Sequence, residues 1–551
     1  MPPPPTSATL QWLSLVAIIW LQSVNGTNTT FPAYSSQLKN LLSLSQLQLN
    51  NLAFASDAGK LFGFISGFAA LHLPLPLVLL AGSLLGLAGY GAQYLFLTGT
   101  FITSLSYPQI FLLTVLAGNS ICWINTVCYV VAVRNFPAGH QPLAVGLSTA
   151  YQGLSAKIYT VLAAAIFPSS KNPAEAYLLL SSLLPLLVTT FTAPLLRNGE
   201  VEWGPIEMGR GGVVAMFLVT IATGVYSVIS SLTFISRTMS PSRGTIGISI
   251  FLSAPLAVPV AIKLWERHVA GKKKGSTRIH TMNYVEEIEN GVVEGGGETK
   301  LPMETAVATI SGEGKSGGDV SGDEKEGFVG VGVMVKRVEF WVYFGAYLCG
   351  PTIGLVFLNN LGQIAESRGE LRTSSLVALS SSFGFFGRLV PSFLDYFLAR
   401  SRCKMMISRP ASIAALMAPM AAAFFLLVIN TTASFNHVAL YVSTAVIGVC
   451  TGAITSISVS TTSDLFGTAN FSLNHNIVVA NIPLGSFAFG YLAAFFYHRE
   501  GGGGGGGKCM GMLCYRDTFV IWGSLCGFGT LLALVLHART RKMYSQTVLA
   551  T

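Results

Sequence analysis

Residues 350 to 369 read GPTIGLVFLNNLGQIAESRG and end a continuous apolar run that begins near residue 338. The apolar residues of this run do not alternate every second position, which is typical of a transmembrane helix and not of a barrel strand. Three amides, Asn359, Asn360 and Gln363, precede the charged residue Glu366. Either these amides mark the end of the helix at the membrane surface, where polar groups cost little, or they belong to a polar site inside the protein.

The composition of the whole chain predicts a membrane protein. Of its 551 residues, 51% are hydrophobic and 10% are charged, and the mean hydropathy is +0.58. This composition excludes a soluble domain with a polar surface. Because a bilayer core about 30 Å thick requires roughly 20 apolar residues per helix, we expect an all-α polytopic membrane protein.

The apolar runs fall into three groups along the chain. The first group covers about 10–28, 50–71, 76–97, 107–131, 142–167 and 175–196, the second about 212–236 and 244–265, and the third about 338–361, 374–398, 409–430, 436–460, 472–497 and 517–538. This pattern predicts two six-helix bundles plus about two extra helices, about 14 transmembrane helices in all, with 12 as the alternative. The first run also resembles a secretory signal, but its leader MPPPPTSATLQ contains no Lys or Arg, so we expect a retained helix.

The same pattern predicts the domain organisation. We expect an N-terminal six-helix bundle in residues 1–200, two additional helices in 201–265, and a C-terminal six-helix bundle with a cytoplasmic tail in 338–551. Residues 266–337 begin basic, turn acidic and glycine-rich, and lack an apolar face. Such a composition predicts a disordered linker.

The distribution of Lys and Arg predicts the orientation of the chain. Loops that would be cytoplasmic hold most of these residues, including the run Lys272, Lys273 and Lys274, whereas the opposite loops hold few. Since positive loops stay in the cytoplasm, we expect both termini there, and the net charge of +9 requires no nucleic-acid partner. Glycosylation-type triplets at Asn28 and Asn430 then lie outside, although such triplets also occur by chance.

The eight cysteines do not predict a metal site. Most of them fall inside apolar helices, where cysteine behaves as a small hydrophobic residue. Cys509 and Cys514 lie in an outer loop that reads KCMGMLCYRD, and their C-x4-C spacing without a nearby His argues against zinc. The two residues either form a disulfide or remain free thiols.

Both groups of six helices begin in the same way. The first run leads into QSVNGTNTT and the ninth into FLNNLGQ, so each becomes amide-rich at its outer end. A two-fold repeat of six helices with a long linker between the halves is typical of rocker-switch carriers, whose site lies between the repeats near the membrane midplane.

Many short stretches, in order along the chain, resemble the plant nodulin-like, nuclear-fusion-defective branch of the major facilitator superfamily. They include FPAYSSQLK, SLSQLQLNNLAFASDAGKLFG, WINTVCYVVAVRNFP, YQGLSAKIYT, FLNNLGQIAESRG, SSFGFFGR, TTSDLFG, NIPLGSFAFGYL and KCMGMLCYRDTFVIWG. The resemblance implies a helical carrier fold with N- and C-terminal bundles. The chain departs from the family pattern at RNFPAGHQP, which lacks the usual Arg-Gly, and at Asn359, where an acidic residue is usual.

The stretch GRLVPSFLDYFLARSRCK resembles the superfamily's cytoplasmic latch. Its matching residues are Gly387, Arg388, Asp395, Arg400 and Arg402. The resemblance implies a gate in which Arg388, Asp395, Arg400 and Arg402 form charge pairs at the cytoplasmic end. Ordinary positive flanking of a helix also explains Arg400 and Arg402, but not Arg388.

Ionisable residues within the predicted spans are the strongest chemical signal, because a charge in the bilayer costs several kcal/mol unless it is paired or faces water. Asp57 and Lys60 lie one helical turn apart, so they form either an inert ion pair or a coupling site. Lys157 has no acid within a turn, so it either binds an anionic solute or bridges to Asp57. Predicted uncharged partners in the same cavity are Gln152, Asn119, Asn125, Asn359 and Asn481, and each of them also suits a helix contact.

These residues predict a transporter. No phosphate-binding loop, HExxH, GxSxG or kinase motif occurs in the sequence, so we predict no enzyme and no cofactor. We expect a secondary transporter of a small polar or anionic solute, for example an organic acid. Protons are a candidate coupling ion: His475 either couples them by titrating near neutral pH or is a simple interfacial histidine near the inner end of its helix. The alternative is a carrier-fold sensor or interaction protein. The sequence indicates the lipid bilayer and a solute as partners and leaves the oligomeric state unknown.

Overall fold

The computed structural model describes residues 8–137, 139–167, 173–196, 210–231, 240–265, 268, 330–370, 373–399, 408–429, 432–501 and 509–550. Within these ranges the secondary structure is helical and contains no strand. Residues 1–259 and 327–551 belong to one compact unit. Of residues 260–326, which form the other unit, the structure describes 260–265 and 268, so most of the predicted linker lies outside the described residues.

The first half and the two additional helices comprise eleven named elements. They are α1 (Ala8–Val24), α2 (Phe31–Leu41), α3 (Gln46–Ala58), α4 (Gly63–His72), α5 (Leu75–Leu97), α6 (Tyr107–Arg134), α7 (Gln141–Gln152), α8 (Ser155–Ile166), α9 (Pro173–Thr192), α10 (Arg210–Ser231) and α11 (Pro241–Ser253). Short 3-10 turns connect some of them, at Thr27–Thr30, Gly59–Phe62, Ala193–Leu195 and Ala254–Leu256.

The second half begins after the linker. Its helices are α12 (Val331–Met334), α13 (Val338–Tyr347), α14 (Ile353–Ser367), α15 (Thr373–Ala399), α16 (Arg409–Leu426), α17 (Ala433–Phe466), α18 (Phe471–Val479), α19 (Asn481–Glu500) and α20 (Leu513–Ala550). A π-helical turn, Leu348–Thr352, joins α13 to α14 and contains Pro351. Because proline has no N–H to donate, a local widening of the helix is the expected response.

Eleven helical segments of the described ranges are long and apolar enough to cross a membrane. The three other predicted spans are also helical: α1 has 17 residues, α3 and α4 are separated by a 3-10 turn, and α7 and α8 by Gly153 and Leu154. All of the predicted spans therefore correspond to helices, and the all-α membrane fold is confirmed. The exact count of 14 remains a prediction.

Each half has its own apolar core. Tyr34, Leu52, Ala117 and Tyr177 belong to the core of the first half, whereas the second half is built around clusters that include Phe357 and Trp522 and Tyr343 and Phe466. Each half thus contains buried apolar clusters of its own.

The additional helices α10 and α11 pack against both halves. The indole of Trp20 in α1 donates to the Leu252 carbonyl in α11 at 2.7 Å. On α10, Phe217 lies edge-to-face with Phe393 of α15, with ring centroids 5.3 Å apart. The pair therefore covers one side of the boundary between the halves.

Candidate substrate cavity between the two halves

A cavity of about 180 Å³ lies inside the bundle and is lined by helices of both halves. The first half contributes the turn after α1 together with parts of α3, α6 and α7, and the second contributes parts of α13 to α15, α17 and α18. Its polar and charged lining comprises Asn28, Thr29, Asp57, Lys60, Asn125, Thr126, Tyr129, Gln152, Tyr347, Asn359, Ser380, Ser381, Arg388, Thr451, Thr455, Ser458, Ser472, His475 and Asn476. The lining is therefore mostly uncharged and capable of hydrogen bonding.

Asp57 is the most highly connected charge in this cavity. Its Oδ1 lies 2.6 Å from the Lys60 ammonium, and the two side chains are 3% and 9% exposed. Its Oδ2 accepts hydrogen bonds from Asn359 Nδ2 at 3.0 Å and from Ser486 Oγ at 2.7 Å. Since Asn359 and Ser486 belong to the second half, one carboxylate joins α3 to both α14 and α19.

The three amides of the ninth predicted span have different partners. Asn359 contacts Asp57 as described, and Gln363 Nε2 donates to Asn50 Oδ1 at 2.7 Å. Asn360 Nδ2 instead donates to the Val356 carbonyl of its own helix at 2.8 Å. Two of the three amides, Asn359 and Gln363, thus connect the halves. They are contact residues between the halves and do not simply mark the end of a helix.

A second amide cluster lies at the break after α1. Asn25 Nδ2 donates to Asn125 Oδ1 at 2.8 Å, and Gln152 Nε2 lies 3.4 Å from the same oxygen. Asn125 and Gln152 line the cavity, as predicted for them, and Asn25 is buried behind them. The sequence analysis missed Asn25, although the Asn-Gly pair at the end of the first span is a signal for a helix break.

Arg388 lies in the cavity lining and not at the cytoplasmic gate to which the sequence analysis assigned it. The reason is that α15 continues to Ala399, which places the guanidinium about 16 Å, by helical rise, from that end of the helix. Its Nη1 donates to the Gly384 carbonyl at 3.3 Å. Tyr129 and Tyr347 line the same cavity.

The charge cluster at the predicted cytoplasmic end has a different composition from the one expected. Arg409 pairs with Asp464 and lies 3.9 Å from Asp395, while the Tyr544 hydroxyl donates to Asp464 at 3.2 Å. The cluster joins the ends of α15, α16, α17 and α20 within the second half. The sequence analysis missed Arg409 and Asp464 as gate residues, although Asp464 lies in the quoted motif TTSDLFG. Arg400 and Arg402 lie outside the described residues.

Three predicted cavity residues make helix contacts instead of lining the cavity. Lys157 Nζ donates to the Ser230 carbonyl in α10 at 3.2 Å. Asn119 accepts from the Trp123 indole at 3.1 Å, and Asn481 accepts from Thr352 Oγ1 at 2.8 Å. Each prediction rested on residue type and depth, which do not specify the direction in which a helix turns its side chains.

His475 lies in the cavity wall between two aromatic rings. It stacks on Phe471 with ring centroids 5.3 Å apart and meets Tyr129 edge-on at the same distance. Its Nδ1 lies 3.1 Å from Thr462 Oγ1. The proposed role of His475 in proton coupling remains a prediction.

Two further predictions concern the outer loops, namely the disulfide and the glycosylation triplets. The structure joins Cys509 and Cys514 in a disulfide. Asn28 lies in the 3-10 turn after α1 and lines the cavity, and its glycosylation remains a prediction. Asn430 lies outside the described residues. Among the described residues, no group of three or more His, Cys, Asp or Glu side chains is placed to hold a metal ion.

The halves also touch at the end of the cavity that the charges predict to be cytoplasmic, here called the inner end. Ser472 Oγ in α18 donates to the Gly67 carbonyl in α4 at 2.9 Å. A Cβ on Gly67 would lie 2.7 Å from the Ser472 carbonyl oxygen. Backbones therefore meet across the boundary at the inner end, while the contacts of Asp57 and Asn50 cross it at the opposite, outer end.

Comparison with solved structures shows the class of fold. The chain superimposes on the proton:xylose symporter XylE of the major facilitator superfamily with a TM-score of 0.52 and 11% identity, covering 95% of both chains. It also superimposes on a structure described by its substrate recognition in proton-dependent oligopeptide transporters, with a TM-score of 0.51 and 12% identity over 97% of this chain and 100% of that one. The protein therefore has the fold of major facilitator superfamily transporters.

Comparison of sequences shows the particular family. A nodulin-like family model matches residues 11–263, and a model described as NFD4, C-terminal domain, matches residues 325–546. The chain is 37% identical over 545 residues to Protein NUCLEAR FUSION DEFECTIVE 4 of Arabidopsis thaliana, covering 97% of this chain and 89% of that protein. The chain belongs to this nodulin-like, nuclear-fusion-defective family, and the resemblance inferred from its motifs is confirmed.

Proposed function

We propose that this protein is a secondary transporter that moves a small polar or anionic solute by alternating access between its two halves. The observation that carries the proposal is the cavity, because residues of both halves line it and contacts between the halves lie on either side of it. In rocker-switch carriers the halves turn about such a central site. The transport roles stated for XylE and the oligopeptide transporters support the same function for this chain.

We further propose that Asp57 couples transport to protons. In its ionised form the carboxylate accepts hydrogen bonds from Asn359 and Ser486 of the other half. Protonation removes the negative charge that holds these donors and the Lys60 ammonium. The contacts at the outer end then weaken, so proton binding favours separation of the halves there.

Uptake by proteoliposomes tests both proposals. The full-length protein is reconstituted and given labelled organic acids, amino acids and sugars, with and without an imposed pH gradient. We expect uptake of at least one solute, stimulated by the gradient in the wild type and insensitive to it in Asp57→Asn. Ser486→Ala serves as a matched variant, since it removes one hydrogen bond to Asp57 and leaves the carboxylate in place.

Two outcomes contradict the proposals separately. Solute binding without uptake of any compound favours the sensor alternative over a transporter. Uptake by Asp57→Asn that still responds fully to the pH gradient excludes Asp57 as the coupling group and leaves transport itself intact.

A further inference from the structure

Arg388 has no partner for its charge among the described residues. None of the ion pairs between those residues includes it, and its hydrogen bond goes to the neutral Gly384 carbonyl. A guanidinium presents several N–H donors in a planar fork, so this one hydrogen bond leaves most of the hydrogen-bonding capacity of Arg388, a cavity-lining residue, unused. An unpaired cation within a membrane protein is costly unless it serves a ligand or faces water.

Close packing of α15 on α17 fixes the backbone position from which the Arg388 side chain extends. A Cβ on Gly387 would lie 2.2 Å from the Val449 carbonyl oxygen, and one on Gly452 would lie 2.4 Å from the Gly384 carbonyl oxygen. Backbones this close leave α15 little freedom to turn about its axis. Arg388 is therefore held in a defined place in the cavity wall, which is a requirement for recognising a ligand by geometry.

The other charges of the cavity do not neutralise Arg388. Asp57 and Lys60 pair with each other at 2.6 Å, and Asp57 is already occupied by Asn359 and Ser486. The lining residues carry one negative charge, on Asp57, and two positive charges, on Lys60 and Arg388. The pair of Asp57 and Lys60 is neutral, so one positive charge remains. A solute that carries one negative charge would balance the cavity.

The surroundings of Arg388 indicate which anion fits. Tyr129 of the first half and Tyr347 of the second line the same cavity as Arg388, together with Asn125 and Gln152. Guanidinium and carboxylate form a planar, bidentate pair. The amides and phenols supply hydrogen-bonding groups for hydroxyl or amide substituents on the remainder of a small solute.

We propose that Arg388 binds the carboxylate of the solute, and that the cavity accepts a small monocarboxylate with further hydrogen-bonding groups, such as a hydroxy acid. This inference rests on the proposed transport function and specifies its substrate class. It assigns to Arg388 in α15 the role that the sequence analysis gave to Lys157. A carboxylate seated there would contact both halves through Arg388 and Tyr129.

Ligand-induced thermal stabilisation of the purified full-length protein tests the inference. The probes are matched pairs of lactate with lactamide and glycerate with glyceramide, together with inorganic phosphate. We expect the carboxylates, and not the amides, to raise the unfolding temperature of the wild type. In Arg388→Gln the apparent Kd for the carboxylates should increase by about 10- to 100-fold, the range for loss of a charge-assisted hydrogen bond.

Two further variants provide controls. Arg388→Lys keeps the charge but loses the planar fork, so its affinity should lie between those of wild type and Arg388→Gln. Lys157→Gln also removes a cation from a helix, but outside the cavity lining, and should bind as the wild type does. If Arg388→Gln does not fold, the comparison of carboxylates with their amides in the wild type still tests whether the cavity recognises a carboxylate.

Several results would overturn the inference. They are equal binding of carboxylates and amides by the wild type, tighter binding of phosphate than of every carboxylate, unchanged carboxylate affinity in Arg388→Gln, or no stabilisation by any carboxylate. Uptake measurements separate this inference from the proposed function. Carboxylates transported equally by wild type and Arg388→Gln would refute the carboxylate site and support transport. Arg388-dependent carboxylate binding without uptake would support the site and contradict transport.

Discussion

A single carboxylate, Asp57, links the local sequence to the arrangement of the two halves. Its pairing with Lys60 follows from a separation of three residues, which places both side chains on one face of a helix. Its contacts with Asn359 and Ser486 cannot be read from that spacing, because those residues lie far along the chain. The same side chain thus belongs to a local ion pair and to a contact between halves.

The buried pair predicts the outcome of a double-mutant cycle. Lys60→Met leaves an uncompensated carboxylate in a site where the pair is almost fully buried, and we expect it to destabilise the protein by about 3 kcal/mol. Asp57→Leu together with Lys60→Met removes both charges and should be clearly less destabilising. Unfolding temperatures of the variants in detergent measure the difference.

A double variant that is as unstable as the sum of the two single variants would show that the charges do not interact. Asn119→Ala is a suitable control, because Asn119 contacts Trp123 of its own helix and makes no contribution to the pair.

At the scale of helices, the additional pair α10 and α11 explains the placement of Lys157. Ser230 is the penultimate residue of α10, and its carbonyl accepts a hydrogen bond from the Lys157 ammonium at 3.2 Å. Lys157 therefore attaches α8 to the accessory helix α10.

Lys157→Met should loosen α10 without changing the cavity. We expect a loss of about 1.5–3 kcal/mol of stability, the range for a hydrogen bond to a charged group, and faster hydrogen exchange in α10 around Ser230. Solute affinity should equal that of the wild type. Mass spectrometry of deuterium uptake and the thermal assay measure the two effects, and reduced solute affinity with unchanged exchange would contradict this assignment.

At the scale of the whole molecule, the cavity lies between two sets of contacts that alternating access would have to break in turn. The outer set includes the hydrogen bond between Asn50 and Gln363, and the inner set includes Ser472 with Gly67. Rotation of one half against the other cannot preserve both sets while opening the cavity.

Locking the outer contact should therefore stop transport. We expect that Asn50→Cys with Gln363→Cys, linked by a short bifunctional thiol reagent, loses uptake in proteoliposomes and regains it after reduction. Each single cysteine variant treated in the same way is the control, because neither residue can be linked alone. Full uptake by the linked protein would exclude a rocking motion at this boundary.

Part of this site could be predicted from sequence and part could not. Asn125, Gln152, Asn359 and the pair Asp57 and Lys60 were assigned to the cavity or its charges, and the structure places them in its lining. Arg388 was assigned to the gate because a motif implied it, and Lys157 was assigned to the cavity because it was an isolated cation. The structure places Arg388 in the cavity lining because α15 continues to Ala399. It turns Lys157 toward α10, since depth along a helix does not fix the direction of a side chain around the axis.

The sequence by itself determined that this protein lies in a lipid bilayer, where its helices lie along the chain, and to which family it belongs. Long apolar runs must satisfy their backbone hydrogen bonds within a bilayer, and only a helix does so within one segment. The tertiary structure alone decided which polar groups meet in the cavity. The rotation of each helix is set by contacts with distant helices, such as α15 against α17 through Gly387, and these contacts turned Arg388 toward the cavity and Lys157 toward α10.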